Sequence, residues 1–172
     1  MNRVTFLIGG NQGDRKALIE QATELIRDRI GPVVANSRVY ETEPWGSFES
    51  EGGKHGVDSF LNKALVVETG LSAVEVLHRA QGIETDLGRK RAPLSVAPDG
   101  SRQRRLYHSR PMDIDIIFYN DEVIDTPELT VPHPRMHLRR FVLEPLNEII
   151  PEYRHPVIGK TVGELFASIQ EN

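Results

Sequence analysis

The sequence predicts an α+β domain in which helices cover an antiparallel sheet, in the order βαββαβ, with small strands and helices after them. Apolar and β-branched residues alternate at period two in four runs, 3–8, 33–41, 60–68 and 111–118. Two stretches with apolar residues at helical spacing lie between them in the positions that this order requires. The 172 residues hold no repeat, low-complexity tract or linker, so the chain reads as one domain, 1–172.

The first run ends in Gly9-Gly10-Asn11-Gln12-Gly13, and Asp14 is placed to cap a helix. Leu18, Ala22, Leu25, Ile26 and Ile30 form the helix stripe, and Gly31-Pro32 stops it. Strand, glycine-rich turn and helix outline a phosphate loop. Neither G-x-x-x-x-G-K-[ST] nor G-x-G-x-x-G is present, so a tight turn is reading enough. The second run breaks at Thr42-Glu43-Pro44-Trp45-Gly46, and a polar, glycine-rich loop is expected over about 46–58. In the third run Phe60, Asn62, Ala64 and Val66 share one face, and Leu61, Lys63, Leu65 and Val67 share the other. Neither face is cleanly polar, as expected of a strand covered on both sides.

Ser72-Ala73-Val74-Glu75 is a capping box. Val76, Ala80, Ile83 and Leu87 make the stripe of the second helix, which Gly88 is expected to end. A long segment follows, about 89–109, of a length that suits a binding loop better than a passive connector. After the fourth run, Tyr119-Asn120-Asp121-Glu122 turns the chain into a short return at Val123-Ile124. Leu129-Thr130-Val131 is a further edge strand. A short helix is expected from about Glu144-Pro145, with proline at its first position, to about Ile150. A second capping box, Thr161 to Glu164, opens a last helix through Ile169.

Hydrophobic residues make up 38% and charged residues 27%, the balance of a folded globular chain. There is no cysteine, which excludes disulfides, thiol catalysis and cysteine-ligated zinc, and agrees with a reducing cytoplasm. No apolar run is long enough for a membrane span or a signal-peptide core. A net charge of −4 argues against general nucleic-acid binding. The charge is uneven, however: residues 89–110 carry seven Lys/Arg against one Asp. A basic segment in an acidic chain suits a small polyanion such as a nucleotide.

In the fourth run Met112, Ile114, Ile116 and Phe118 fall on the expected core face, while Asp113 and Asp115 point the other way, with Arg110 just upstream. Like charges side by side on a strand repel, so the pair calls for water or a cation. Carboxylates are acceptor-only oxygen ligands of the kind that suits Mg²⁺. Arg89, Arg91, Arg110 and Arg139, with Arg102, Arg104 and Arg105, offer guanidinium forks for phosphate oxygens. His133, between two prolines, is placed to donate to an anion. Together these favour metal-dependent phosphoryl or nucleotidyl chemistry. The alternatives are a nucleotidyltransferase and a non-catalytic binding module whose carboxylates pair with arginines on the surface. No G-x-S-x-G elbow is present, and Pro134 disfavours a zinc-binding helix through His133 and His137.

Beyond this chemistry, Arg110-Pro111-Met112-Asp113-Ile114-Asp115-Ile116-Ile117 resembles the R-x-x-D-[LI]-D-[LIVM]-[LIVM] signature of the 6-hydroxymethyl-7,8-dihydropterin pyrophosphokinase family. The resemblance includes Leu7-Ile8-Gly9-Gly10-Asn11, Tyr40-Glu41-Thr42-Glu43-Pro44, Phe60-Leu61-Asn62-Lys63-Ala64 and Gln81-Gly82-Ile83-Glu84 with Gly88-Arg89. It continues in Thr130-Val131-Pro132-His133-Pro134 and Arg139-Arg140-Phe141-Val142-Leu143-Glu144-Pro145-Leu146, in the family's order and over most of residues 4–150.

The resemblance implies a ferredoxin-like fold and transfer of pyrophosphate from ATP to a pterin hydroxymethyl group, releasing AMP, in folate biosynthesis. It implies that Asp113 and Asp115 bind two Mg²⁺ ions and that Arg89 and Arg110 clamp phosphates, with Arg139, His133 and Arg91 nearby. Gln81, Glu84, Ile116 and Thr130 would lie around the nucleotide. The pterin would stack between Phe60 and Phe141, with Asn62 reading its edge, Thr42, Pro44 and Trp45 closing the pocket, and Asn11 holding the adjoining loop. ATP and a reduced pterin are then the partners, with no nucleic acid, membrane or obligate protein partner. Tyr107-His108-Ser109 stands where the family tends to have W-G-P, and Pro134 stands where an aromatic often follows the histidine.

Overall fold

The computed structural model describes residues 1–10, 14–42, 60–91 and 112–170. Its elements are β1 (Asn2–Gly10), α1 (Arg15–Arg29), β2 (Val33–Asn36), β3 (Tyr40–Thr42), β4 (Phe60–Thr69), α2 (Ala73–Arg91), β5 (Asp113–Tyr119), β6 (Ile124–Asp125), β7 (Thr130–Val131), α3 (Arg140–Ile149) and α4 (Val162–Gln170). A 3₁₀ turn, Met136–Leu138, precedes α3. The main sheet runs β2-β4-β1-β5, with β3 also on β4, and every pairing is antiparallel. β6 and β7 form a separate two-stranded sheet.

Local signals explain most of these elements. Asp14 caps α1 by accepting from the Ala17 N–H at 3.3 Å. Both capping boxes close reciprocally. Glu75 accepts from the Ser72 N–H and Ser72 from the Glu75 N–H, at 2.8 and 3.2 Å. Thr161 and Glu164 do the same at 2.8 and 3.1 Å. These backbone bonds to the charged form hold both glutamates below the usual carboxylate range.

As expected, β4 is covered on both sides. Leu61, Leu65 and Val67 enter a core with α1, α2 and the β1 residues Val4, Phe6 and Ile8. On the opposite face Ala64 joins Leu7, Ile117 and Phe118 under α3 and α4.

Four expectations need correction. The run 33–41 is two strands, because the Ser37 hydroxyl takes the Ala64 N–H at 3.0 Å, where a continuous strand would offer a carbonyl. The second helix passes Gly88 and runs to Arg91; Gly88 does not adopt the left-handed conformation that ends a helix. α3 starts at Arg140, four residues before Glu144, and holds Pro145 inside. Burial of Val142, Leu143 and Leu146 outweighs the backbone bond that the proline removes.

The fourth correction concerns β5. Its register on β1 slips between Phe6, opposite Ile116, and Thr5, opposite Phe118, so Ile117 is an extra residue. Met112, Ile114 and Ile116 face the α1/α2 core as expected, but Phe118 turns to the other core and Tyr119 takes its place. The carbonyl of Ile117 accepts the His133 backbone N–H at 3.1 Å.

Residues 150–161 pack against this second core. Tyr153 stacks on Phe118 with ring centres 4.3 Å apart and donates to the Asn120 carbonyl at 2.7 Å. His155, 5% exposed, accepts the Val157 and Ile158 N–H groups on Nδ1, both at 3.1 Å. That geometry requires an unprotonated Nδ1. Burial, and then nearby His137, push the His155 pKa below the ordinary histidine value. The unfolded chain therefore takes up this proton at higher pH than the folded one. The associated stability is complete above about pH 6.5 and is lost as pH falls through the window below it. Urea midpoints between pH 8 and 5 are expected to drop with acid, and less steeply in His155→Asn, which keeps an acceptor that does not titrate. Equal slopes in the two proteins would refute this.

Candidate active site

Among the described residues, one face of the sheet is left uncovered beside the start of α3. There a cleft of about 330 Å³ is lined by Leu7, Gly9, Thr42, Phe60, Asn62, Asp113, Asp115, Arg139 and Phe141. Its floor follows from strand register. Asn62 on β4, Gly9 on β1 and Asp113 on β5 stand opposite one another in one row; Ala64, Leu7 and Asp115 form the next. Paired residues of an antiparallel sheet project to the same side. The Asp113/Asp115 pair and Asn62 therefore share a surface, with one strand between them. Phe60 sits at the start of β4, opposite Thr42 of β3.

The first turn of α3 supplies the other wall. The Arg139 guanidinium carbon lies 5.7 Å from the centre of the Phe141 ring, so stacking orients a cation beside the carboxylates. The far end of the same helix is braced to β3, where one Glu148 oxygen accepts from the Arg38 N–H at 3.1 Å and the Tyr40 hydroxyl at 2.8 Å.

Asp113 is exposed and Asp115 half-buried, at the edge of the sheet. Two hard oxygen donors two residues apart on one strand face fit Mg²⁺, which is commonly held by one or two carboxylates while a substrate's phosphates supply further oxygens. Among the described residues no group of three His, Cys, Asp or Glu comes together as a complete protein-only cage.

The outer edge of β5 is flanked by α2 and β7. Half-buried Glu84 reaches over from α2, and its carboxylate accepts the Ile114 N–H at 2.7 Å. Ile114 lies between the two aspartates, so Glu84 holds the strand that displays them. Glu84→Ala is expected to cost about 1–2 kcal/mol of stability, with Glu84→Gln, which keeps an acceptor, near wild type. Equal melting temperatures for the two variants would show that the bond carries nothing.

Gln81 is exposed on α2, and Thr130 is exposed on β7. His133 is half-buried, and among the described residues its Nδ1 is buried without a hydrogen-bond partner. Burial, and then the charge of Arg139, lower its pKa and favour the neutral ring. Ile116 is 5% exposed and faces the α1/α2 core, on the side of β5 away from the aspartates. Asn11, Pro44, Trp45, Arg102, Arg104, Arg105, Arg110 and the segment Tyr107-His108-Ser109 lie outside the described residues. Arg89 and Arg91 are on the last turn of α2, and their side chains are outside the description as well.

Thus Thr42, Phe60, Asn62, Asp113, Asp115, Arg139 and Phe141 meet in one cleft. Sequence reasoning assigned no role to Leu7 or Gly9, which form the middle of its floor. The sequence places the end of the first strand at Ile8 and Gly9 in the turn, whereas β1 runs on to Gly10, so nothing in the sequence marks this glycine as part of the floor.

Comparison with known proteins identifies the family and the fold. A model of the family described as 7,8-dihydro-6-hydroxymethylpterin-pyrophosphokinase (HPPK) matches residues 5–151. The 2-amino-4-hydroxy-6-hydroxymethyldihydropteridine pyrophosphokinase of Porphyromonas gingivalis is 38% identical over 154 residues, 89% of this chain and 93% of the relative. That of Bacillus subtilis is 38% identical over 151 residues, 87% of this chain and 79% of the relative. Among solved structures, a Plasmodium falciparum HPPK-DHPS triple mutant with STZ-DHP superposes with a TM-score of 0.71 at 18% identity. The match covers 97% of this chain and 43% of that one, so it speaks for the fold, and the chain spans less than half of the fused protein. On the family match and the identity to relatives of similar length, the chain belongs to the 7,8-dihydro-6-hydroxymethylpterin-pyrophosphokinase family.

Proposed function

We propose that this chain transfers pyrophosphate from ATP to the hydroxymethyl group of 6-hydroxymethyl-7,8-dihydropterin, releasing AMP, as a step of folate biosynthesis. The observation that carries the reading is the shared floor. Phe60 and Phe141, which we take as the two walls of a slot, line one cleft with a pair of strand carboxylates. A flat heteroaromatic ring needs apolar faces on both sides and a few fixed polar groups at its edge, here Asn62 and Thr42. Asp113 and Asp115 are the residues that would hold Mg²⁺, two ions in this reading. Bound there, the metal would neutralise charge on the phosphate oxygens.

The remaining chemistry is positioning. The hydroxymethyl oxygen bonds the β-phosphorus, the bond to the α,β-bridging oxygen breaks, AMP leaves, and the hydroxyl proton passes to solvent. Phe60, Phe141 and Asn62 hold the acceptor still, which removes most of the entropy of bringing two substrates together. Arg139, held by stacking, faces the charge that builds on the transferring group, with His133 beside it and Arg89, Arg91 and Arg110 as further phosphate ligands. Gln81, Glu84, Ile116 and Thr130 lie on or beside the strand edge we assign to the nucleotide; the backbone of Ile116 is the part available there. Asn11, Pro44 and Trp45 complete the pterin side.

Strand order and antiparallel pairing, with β2 and β3 counted as one interrupted strand, fit a ferredoxin-like βαββαβ sheet. We take residues 1–172 as one pyrophosphokinase domain acting in the cytoplasm on small-molecule substrates. Among the described residues no helix is long and apolar enough to cross a membrane.

The test is product identity. Protein, MgATP and the reduced hydroxymethylpterin are expected to yield AMP, and only when the pterin is present. ADP as product would overturn the reading, as would release of free pyrophosphate, the outcome of a nucleotidyltransferase.

A further inference from the structure

We propose that Gly9 is a positioning residue for the pterin. By leaving its place on β1 without a side chain, it provides the seat on which the Asn62 amide lies. A Cβ built on Gly9 would collide with Asn62 Oδ1 and would stand 3.3 Å from Asn62 Cγ and 2.6 Å from the Leu61 carbonyl oxygen. The Asn62 side chain therefore crosses directly over the Gly9 α-carbon instead of standing up from the sheet. It is held low, 6% exposed, in the row that leads from β4 across β1 to Asp113.

Conformational freedom is not the reason for a glycine here. Gly9 sits in regular strand pairing and is not among the residues with positive φ. What the site uses is the missing volume. An amide has donors on one side and an acceptor on the other, and it reads a ring edge only in one orientation. Neighbouring strands are about 4.8 Å apart, so a methyl group at position 9 occupies the space the amide needs. Displaced upward, Asn62 would enter the slot between Phe60 and Phe141 and lose its alignment with the ring edge.

The inference rests on the reading of Asn62 as the pterin-reading residue, and the experiment separates the two. Gly9→Ala, Asn62→Ala and the double variant are compared by KM for the pterin, by affinity for a non-hydrolysable ATP analogue with Mg²⁺, and by melting temperature. Gly9→Ala is expected to raise the pterin KM about tenfold, the scale of one lost hydrogen bond, with nucleotide affinity unchanged. The double variant should bind pterin no worse than Asn62→Ala, since the added methyl then has no amide left to displace and meets only the Leu61 carbonyl oxygen, as it also does in Gly9→Ala. Additive losses would overturn the proposal, and so would a Gly9→Ala protein with wild-type pterin KM beside a weakened Asn62→Ala. If Asn62→Ala itself leaves the pterin KM unchanged, the reading of Asn62 fails and the proposal with it. Should Gly9→Ala not fold, the double variant decides. Recovery of folding supports the seat, whereas two unfolded proteins would assign the glycine to the Leu61 carbonyl contact and overturn it.

Discussion

Asp115→Ala is expected to lower kcat by about a thousandfold or more, on the order of 4 kcal/mol of transition-state stabilisation, without loss of the fold. The two halves of this expectation come from the two faces of β5. Ile114 and Ile116 are buried on one side and anchor the strand to the α1/α2 core. Asp115 projects into the cleft on the other side and contributes no apolar burial. The packing of Ile114 and Ile116 is untouched by the change, so the thermal melt should remain cooperative. Asp115→Asn, which keeps the shape and loses the charge, should be nearly as inactive. AMP release measured across a Mg²⁺ titration, with a thermal melt on the same sample, checks both halves. Near-normal activity in Asp115→Ala would remove this carboxylate from the site.

Phe141→Ala should weaken pterin binding by roughly 1–3 kcal/mol, the scale of a base stacked on an aromatic side chain, and nucleotide binding much less. The ring is half-buried at the start of α3 and is held by the helix behind it. Val142, Leu143 and Leu146 carry the packing of that helix, so truncating Phe141 leaves α3 in place. Phe60→Ala should show the same split between ligands from the opposite wall. Equilibrium binding of the pterin and of an ATP analogue, measured separately, gives the ratio. Equal losses for both ligands would mean that neither ring forms the slot.

Features of the fold that depend on neighbours in sequence were legible from the sequence. The capping boxes at Ser72 and Thr161 and the cap at Asp14 are closed by residues three apart, and all form as expected. The two covered faces of β4 follow from period two alone. The slip in β5 was not legible, because Ile117 and Phe118 are both apolar and nothing marks which of them is the extra residue. Pro145 misled for a similar reason. Its local preference for a helix start is real, but the core contacts made by Val142 and Leu143 set where α3 begins.

The site divides along the same line. Asp113 and Asp115 announce themselves by spacing on one strand. Phe60 and Phe141 come to line one cleft only through the tertiary fold, and no local pattern pairs them; family resemblance supplied the expectation that they act together. The Glu84 bond to Ile114 and the seat at Gly9 appear only once strand register and helix placement are in hand.

The extra residue in β5 also has a mechanical consequence. Ile117, left over from pairing with β1, is where the strand holds His133, through its carbonyl. One residue therefore rephases the strand, so that carboxylates above it and core residues below it can share a side, and it moors the histidine loop to the same backbone. A deletion of Ile117 that restored regular pairing would cast off His133 while leaving Phe118 opposite Thr5 in its core and the aspartates in register. Such an enzyme would keep its carboxylate pair and lose the anchorage of the histidine beside it, a failure expected to show as altered phosphate handling.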